Sequence, residues 1–438
     1  MSPTISGLLV LGALLTLLAV GTPVGFTLGA IAVGALLLTD GLHGIEGVAE
    51  TFFAGLANFG MVSVPMFILM GAAVASSPAG KDLYEALDRW LYRVPGGMVL
   101  SNIGACALFA ALSGSSPATC AAIGKMGIPE MTRRGYPDSL AAGSIAAGGT
   151  LGILIPPSVT MIVYGIATET SIGRLFLAGL VPGIMLTLMF MAWAFFDCWR
   201  RGLGLGDLTR RYSLRERLQA LPRVLPFLLI VALILFVLYG GVATPSEAAG
   251  AGALICLALA AVIYRMWRLR PLVDIFRDTI RESVMIMIII GAAELFSFAL
   301  SSMFITQSIA DGIASLEVNR WALLGIINVF LLVAGFFLPP VAIILMTAPI
   351  LIPLLQTNGF DPYWFAVILT INMEIGLITP PVGLNLYVIN GIAPQISLRD
   401  ILVGSLPFVM LMVLAIVILS VVPQIATFLP NLVMGPPT

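Results

Sequence analysis

Gly376-Leu377-Ile378-Thr379-Pro380-Pro381-Val382-Gly383-Leu384-Asn385 lies inside an apolar run from about Trp364 to Ile392. The run is long enough to cross a bilayer, yet no continuous α-helix tolerates its centre. Pro380 and Pro381 lack backbone N–H donors and clash with the preceding turn. The residue before a proline is pushed out of the helical region, and Gly376 and Gly383 loosen the backbone on either side. In lipid, the freed carbonyl and N–H groups must find partners, so broken backbone at that depth lines protein or a polar cavity.

The stretch has an echo 224 residues earlier, in Gly152-Ile153-Leu154-Ile155-Pro156-Pro157-Ser158. At the same offset Ile128-Pro129 falls on Ile352-Pro353 and Gly135-Tyr136 on Gly359-Phe360. With one extra residue in the second copy, Arg174, Gly179 and Pro182 fall on Arg399, Gly404 and Pro407. An ordered series at nearly constant offset marks a duplication, and matching broken spans in two halves point to a carrier's binding site.

Composition sets the class. Of 438 residues, 59% are hydrophobic and 10% charged, with a mean hydropathy of +1.07 in an all-α pattern, so this is a polytopic membrane chain. The net charge of −1 suggests no nucleic-acid partner. Cys106, Cys120, Cys198 and Cys256 lack pairing or metal spacing and read as packing residues. His43 is the only histidine, which argues against a histidine metal site or relay. No Lys or Arg precedes the first apolar run, so the N-terminus reads as an uncleaved span. Gly124-Lys125 is followed by Met126, with Thr119 where a phosphate loop needs its first glycine, so no ATPase function is expected.

Spans are expected at about 5–20, 23–39, 51–77, 136–168 (broken), 174–198, 224–240, 245–264, 283–304, 362–391 (broken) and 400–423. Apolar stretches at about 98–130 and 321–356 are interrupted by Ser113-Gly114-Ser115-Ser116-Pro117 and Phe337-Leu338-Pro339-Pro340. Their arms, about 13–16 residues by this division, are short for a crossing, so both read as re-entrant hairpins. Ten crossings, five per half, make residues 224–438 an inverted copy of 1–199, joined by a cytoplasmic linker at 200–223. With the N-terminus outside, the inward loops hold 19 of the 21 Lys and Arg, all but Arg174 and Arg320. Both termini are then external, the first hairpin enters from the cytoplasm, and the second enters from outside.

Lys81 to Arg93 and Pro271 to Ser283 read as amphipathic interfacial helices. The first places Leu83, Leu87, Trp90 and Leu91 on one face, with Asp82 and Asp88 elsewhere; the second gathers Leu272, Ile275, Phe276 and Ile280. Gly21, Gly25 and Gly29 form a close-packing face.

The breaks suit a small hard cation, because unwound carbonyls and hydroxyls supply oxygen ligands without a buried full charge. Ser113, Gly114, Ser115, Ser116 and Thr119 sit at the first tip, near the Gly152–Ser158 break. Thr379 and Asn385 flank the second break, beside the tip that carries Pro339. Half-helix N-termini at this depth offer N–H groups to a carboxylate, which makes Thr119, Ser158, Pro339 and Asn385 candidate solute contacts. Glu294 and Glu374 lie where charge is costly. Each reads as a proton site, a cation ligand or a structural carboxyl bonded to freed backbone. Glu247 reads as part of a helix cap.

Ser113-Gly114-Ser115-Ser116-Pro117-Ala118-Thr119, Ile128-Pro129-Glu130-Met131, the two prolyl breaks and Thr244-Pro245-Ser246-Glu247-Ala248-Ala249 together resemble the large membrane subunit of TRAP (tripartite ATP-independent periplasmic) transporters, over nearly the whole chain. The resemblance implies a sodium-driven importer of the bacterial inner membrane, with an elevator fold of the wider ion-transporter group. It implies two partners, a separate four-helix small membrane subunit and a periplasmic substrate-binding protein, and no cofactor beyond sodium. It carries the sodium sites onto Ser113, Ser115, Ser116, Gly152 and Pro156 in one half, and onto Thr379, Val382 and Gly383 in the other. Dicarboxylates, sialic acids and other sugar acids are the expected solutes. A stand-alone dicarboxylate carrier and a non-transport membrane scaffold are the rival readings.

Overall fold

A computed structural model describes residues 3–203, 212–308, 312 and 319–435. The linker at 200–223 and the segment between 304 and 320 therefore lie partly outside the described residues. Every regular element among them is helical.

The first half runs α1 (Pro3–Ala19), α2 (Val24–Asp40), α3 (Val48–Leu56), α4 (Ser63–Ala75), α5 (Ala79–Leu91), α6 (Gly97–Ser113), α7 (Ser116–Arg133), α8 (Asp138–Leu154), α9 (Val159–Ala167) and α10 (Ile172–Arg201). The second continues with α11 (Leu214–Tyr239), α12 (Pro245–Tyr264), α13 (Leu269–Ser302), α14 (Arg320–Gly335), α15 (Pro340–Thr357), α16 (Pro362–Leu377), α17 (Leu384–Ile392), α18 (Leu398–Val421) and α19 (Gln424–Met434). Helices α10, α12, α13, α15 and α18 are each long and apolar enough to cross a bilayer.

Two helices form the centre. Every residue of α8 from Leu140 to Leu154 is buried, and so is every residue of α16 from Trp364 to Leu377. These stretches match at the 224-residue offset. A helix apolar on all sides belongs in a core, and the two are entered in related ways. Gly135 and Gly359 both turn with positive φ, +79° and +68°, a conformation glycine adopts without steric cost. Asp361 caps α16 by accepting from the N–H groups of Tyr363 and Trp364 at 2.8 and 2.9 Å. The central helices are broken where the prolines fall, α8 from α9 and α16 from α17, with both Pro–Pro peptide bonds cis.

The hairpins flank this core. In the first, Gly127 lies against the side chain of Asn102, residues at similar distances from the tip on opposite arms, so α6 and α7 are antiparallel. In the second, Phe330 and Met346 line one cavity. The arms run 17, 18, 16 and 18 residues, three of the four longer than the 13–16 expected. At about 1.5 Å per residue they nearly span the hydrocarbon, so the reversal at the tip, rather than arm length, defines them.

Other expectations are corrected. The span at 51–77 is broken: α3 and α4 are separated by a 3₁₀ turn, Phe59–Val62, and the pair bends by 57°. Asn58 starts that turn by accepting from the Gly60 N–H at 2.8 Å, an Asx arrangement that competes with helix. Helix α5 forms and packs against α6, α7 and α11, so Asp82 and Asp88 are buried and Trp90, expected on the apolar face, is exposed. Asp82 accepts from the Tyr264 hydroxyl at 2.7 Å. The stretch 271–283 is not a separate element; it continues unbroken into α13, with Ile275 buried and Phe276 and Ile280 exposed. The helix that carries the span expected at 224–240 begins at Leu214, behind a Ser213–Glu216 capping box, but bends by 54° at 222–224, so Val224–Tyr239 keeps the expected bounds. A final helix, α19, follows the last span, and Arg174 donates to its Met434 carbonyl at 3.0 Å.

Gly25 and Gly29 pack on α13 at Ile288 and Ala292, while Gly21 has open space and a φ of +88°. Glu247 caps α12 in a reciprocal box with Thr244, as its spacing predicts. The four cysteines are buried and unpaired.

Candidate functional site

The tip of the first hairpin seats on the first prolyl break. Ser113 ends α6, Gly114 turns with φ +59°, Ser115 is extended, and Ser116 opens α7. The Ser115 hydroxyl belongs to the N-cap position, while the tip's internal bonding comes from its neighbours. The Ser113 and Thr119 hydroxyls lie 2.8 Å apart, and Thr119 donates to the Ser115 carbonyl at 2.8 Å. A β-carbon on Gly152 would fall 2.6 Å from that carbonyl oxygen, and one on Gly114 would fall 2.9 Å from the Pro157 carbonyl oxygen. Two backbones therefore meet with nothing between them but main-chain oxygens. Pro156 and Ser158 are buried in this contact, and the Ser158 hydroxyl caps α9 by accepting from the Met161 N–H at 3.3 Å.

The second hairpin repeats the arrangement. A β-carbon on Gly376 would clash with the Gly335 carbonyl, 2.5 Å from its carbon. The Val382 N–H donates to the Phe336 carbonyl at 3.2 Å, tying break to tip. Thr379 donates to the Ile375 carbonyl at 2.6 Å, and Gly383 turns with φ +53° to start α17. The two breaks differ in cover: Pro156 and Pro157 are buried, whereas Pro380, Pro381 and Val382 are exposed.

The halves meet at a buried polar knot. Ser116 donates to Glu374 Oε2 at 3.0 Å, and Asn385 donates to Ser116 Oγ at 2.8 Å and to the Ala146 carbonyl at 3.4 Å. Glu374 thus bonds a side chain of the other half, not freed backbone of its own break. Sequence reasoning placed Ser116 and Asn385 at separate sites; the pairing joins residues 269 apart and leaves no local pattern. Thr119, Ser158 and Asn385 are fully buried with internal partners, while Pro339 is exposed on the second hairpin.

Glu294 stands apart. It is exposed on α13 with Gly55 against its β-carbon, and it lines a cavity of about 200 Å³ with Asn58, Glu169, Ser297 and Pro349. No cluster of three or more His, Cys, Asp or Glu able to hold a metal occurs among the described residues.

The sequence from 11 to 425 matches the family model of the tripartite ATP-independent periplasmic transporter, DctM component. The chain belongs to the DctM family. It is similar to the C4-dicarboxylate TRAP transporter large permease protein DctM of Pseudomonas aeruginosa, 38% identical over 387 residues, covering 88% of this chain and 90% of that protein. It is also similar to the sialic acid TRAP transporter large permease protein SiaM of Vibrio cholerae, at 32% identity with 96% and 97% covered. The isethionate TRAP transporter permease protein DctMQ of Oleidesulfovibrio alaskensis is 34% identical, with 94% of this chain but 64% of that protein covered. Among solved structures, the Alcanivorax borkumensis YdaH transporter aligns with a TM-score of 0.63 at 16% identity over 91% of both chains. That likeness speaks for the fold alone. As a DctM-family chain, this is a transporter permease of the TRAP type rather than an enzyme.

Proposed function

We propose that this chain is the sodium-coupled permease of an importer that moves a small carboxylate-bearing solute across the bacterial inner membrane. A periplasmic binding protein delivers the solute, and a separate four-helix membrane subunit braces the scaffold. The observation that carries this reading is the twofold seating of hairpin tips on prolyl breaks, Ser115 on Gly152 and Gly335 on Gly376. Each contact concentrates main-chain oxygens, hydroxyls and half-helix ends where a dehydrated monovalent cation is best held.

In this reading, Ser113, Gly114, Ser115, Ser116, Gly152 and Pro156 form one sodium site, and Thr379, Val382 and Gly383 form the other. Sodium draws each tip onto its break and completes the solute contacts from Thr119, Ser158, Pro339 and Asn385. Residues 1–199 and 224–438 act as inverted repeats, and their hairpins and broken helices carry the load past α2, α4, α12 and α13. C4-dicarboxylates or sugar acids are the expected solutes, in keeping with the names of the DctM and SiaM relatives.

Proteoliposomes holding the permease, its small subunit and the binding protein test the proposal. Uptake should require an inward sodium gradient and vanish when sodium is equal on both sides. Equal uptake with and without that gradient refutes sodium coupling, and full uptake by this chain alone supports the stand-alone carrier.

A further inference from the structure

A scheme of two independent ion sites uses Ser116 and Asn385 singly and leaves Glu374, and the bonds that join the three across the halves, without a role. Ser116, Glu374 and Asn385 are 0%, 1% and 0% exposed. Among the described residues Glu374 makes no ion pair, and its one hydrogen bond is to Ser116. Three polar side chains sunk in a membrane protein's core are expensive, and their placement is specific. Ser116 directly follows Ser115, whose carbonyl abuts Gly152 at the first break. Glu374 lies two residues before Gly376, which abuts the second tip, and Asn385 lies two residues after Gly383.

We infer that Glu374 and Asn385 are positioning residues that couple the two tip sites, so that sodium at one raises the affinity of the other. The inference rests on the sodium reading above. Its chemistry lies in the Ser116 hydroxyl, which has one proton and two lone pairs. The proton goes to Glu374, and one lone pair accepts from Asn385. A cation at the first tip takes the remaining lone pair and polarises the O–H bond toward Glu374. Hydrogen bonds in a dry interior strengthen one another in this way. The strengthened bond fixes α16 just ahead of Gly376, and Asn385 fixes the start of α17. The second break is then held from both sides in the shape that receives its tip. Linkage makes the effect reciprocal. The pairing also explains why an oxygen acceptor stands here: it reaches across to Ser116, where an apolar side chain of similar size would leave the Ser116 proton unpaired.

The test is calorimetric titration of sodium alone, at constant ionic strength with choline chloride, into the full permease purified with its small subunit. The wild-type isotherm should be cooperative, with a Hill coefficient above one and bounded by about two, the number of sites. Glu374→Ala should give a coefficient of about one and a weakening of the tighter site by about tenfold. Glu374→Gln, which keeps an acceptor oxygen for Ser116, should retain cooperativity; a purely structural role would lower the melting temperature in Glu374→Ala and leave the Hill coefficient unchanged. Should Glu374→Ala fail to fold, Asn385→Ala cuts the other arm and is read the same way. Cooperativity undiminished by either truncation overturns the coupling while leaving two sodium sites in place. A wild-type protein that binds no sodium overturns the sodium reading itself.

Discussion

Gly376 rests on Gly335 with no room for a side chain of its own, whereas a β-carbon on Gly335 would make only ordinary contact, 3.6 Å from the Gly376 Cα. The same relationship joins Gly152 to the Ser115 carbonyl 224 positions earlier. In both halves a glycine just ahead of the proline pair is the seat of a hairpin tip. The obstacle to any substitution is backbone, which cannot swing aside as a flexible side chain does.

A methyl group at either seat should therefore lift the tip from its break. Gly152→Ala and Gly376→Ala are each expected to destabilise the protein by about 1–3 kcal/mol, the usual cost of overpacking. Each should also reduce sodium-driven uptake by at least about tenfold, since about 1.4 kcal/mol lost from ion binding is already tenfold. Melting temperature and initial uptake rate, measured with and without sodium, separate the two effects.

Helices α8 and α18, from different halves, approach backbone to backbone at Gly143 and Gly404. A β-carbon on Gly404 would overlap the Ser139 carbonyl of α8. Gly404→Ala should be among the most damaging single-methyl changes in the chain, at the upper end of the about 1–3 kcal/mol range, with a lower melting temperature in detergent. Gly250→Ala, at a position with open space around it, should leave stability within about 0.5 kcal/mol.

Arg134 binds α5 to the base of the first hairpin, with a 2.8 Å bond to Glu130 and a 3.8 Å approach to Asp88. Asp88 is buried, and its charge loses a counter-ion in Arg134→Gln. Because Arg134 keeps partial solvent contact, the expected loss is smaller than the about 3–5 kcal/mol of a fully buried pair. It should appear in thermal unfolding and diminish in Arg134→Gln combined with Asp88→Asn.

The Thr244–Glu247 box heads α12, which packs chiefly on α4 and α11 rather than on the hairpin arms. Thr244→Ala should cost about 1 kcal/mol of stability and leave the sodium dependence of uptake unchanged. A changed sodium dependence would mean that α12 takes part in the transport step.

Much of this arrangement was legible in the residues. Proline pairs bracketed by glycines cannot continue a helix, so Pro156-Pro157 and Pro380-Pro381 announced the broken spans, and Thr244 with Glu247 announced a cap. Gly135 and Gly359 stood out only as matching positions of the duplication; that both turn the chain into α8 and α16 is seen from their positive φ. The break at Asn58 was missed because its signal is one side chain competing for a backbone N–H, without a proline pair to enforce it. Burial of Asp82 and Asp88 is not legible locally, because periodicity reports only the apolar face; Tyr264 and Arg134, which meet them, lie far along the chain. The Ser116–Glu374–Asn385 knot was illegible for the same reason, since its bonds cross 258 and 269 residues of chain.

The central claim is that the two seated tips bind sodium on main-chain and hydroxyl oxygens. The most direct measurement is the melting temperature of the purified permease complex in sodium chloride and in potassium chloride of equal ionic strength. A ligand that binds only the folded state stabilises it by about 2.7 kcal/mol at a hundredfold excess over its dissociation constant. The account predicts a melting temperature that climbs with sodium, not with potassium, and a gain that shrinks in Gly152→Ala and again in Gly376→Ala. Identical melting in the two salts at every concentration would contradict it.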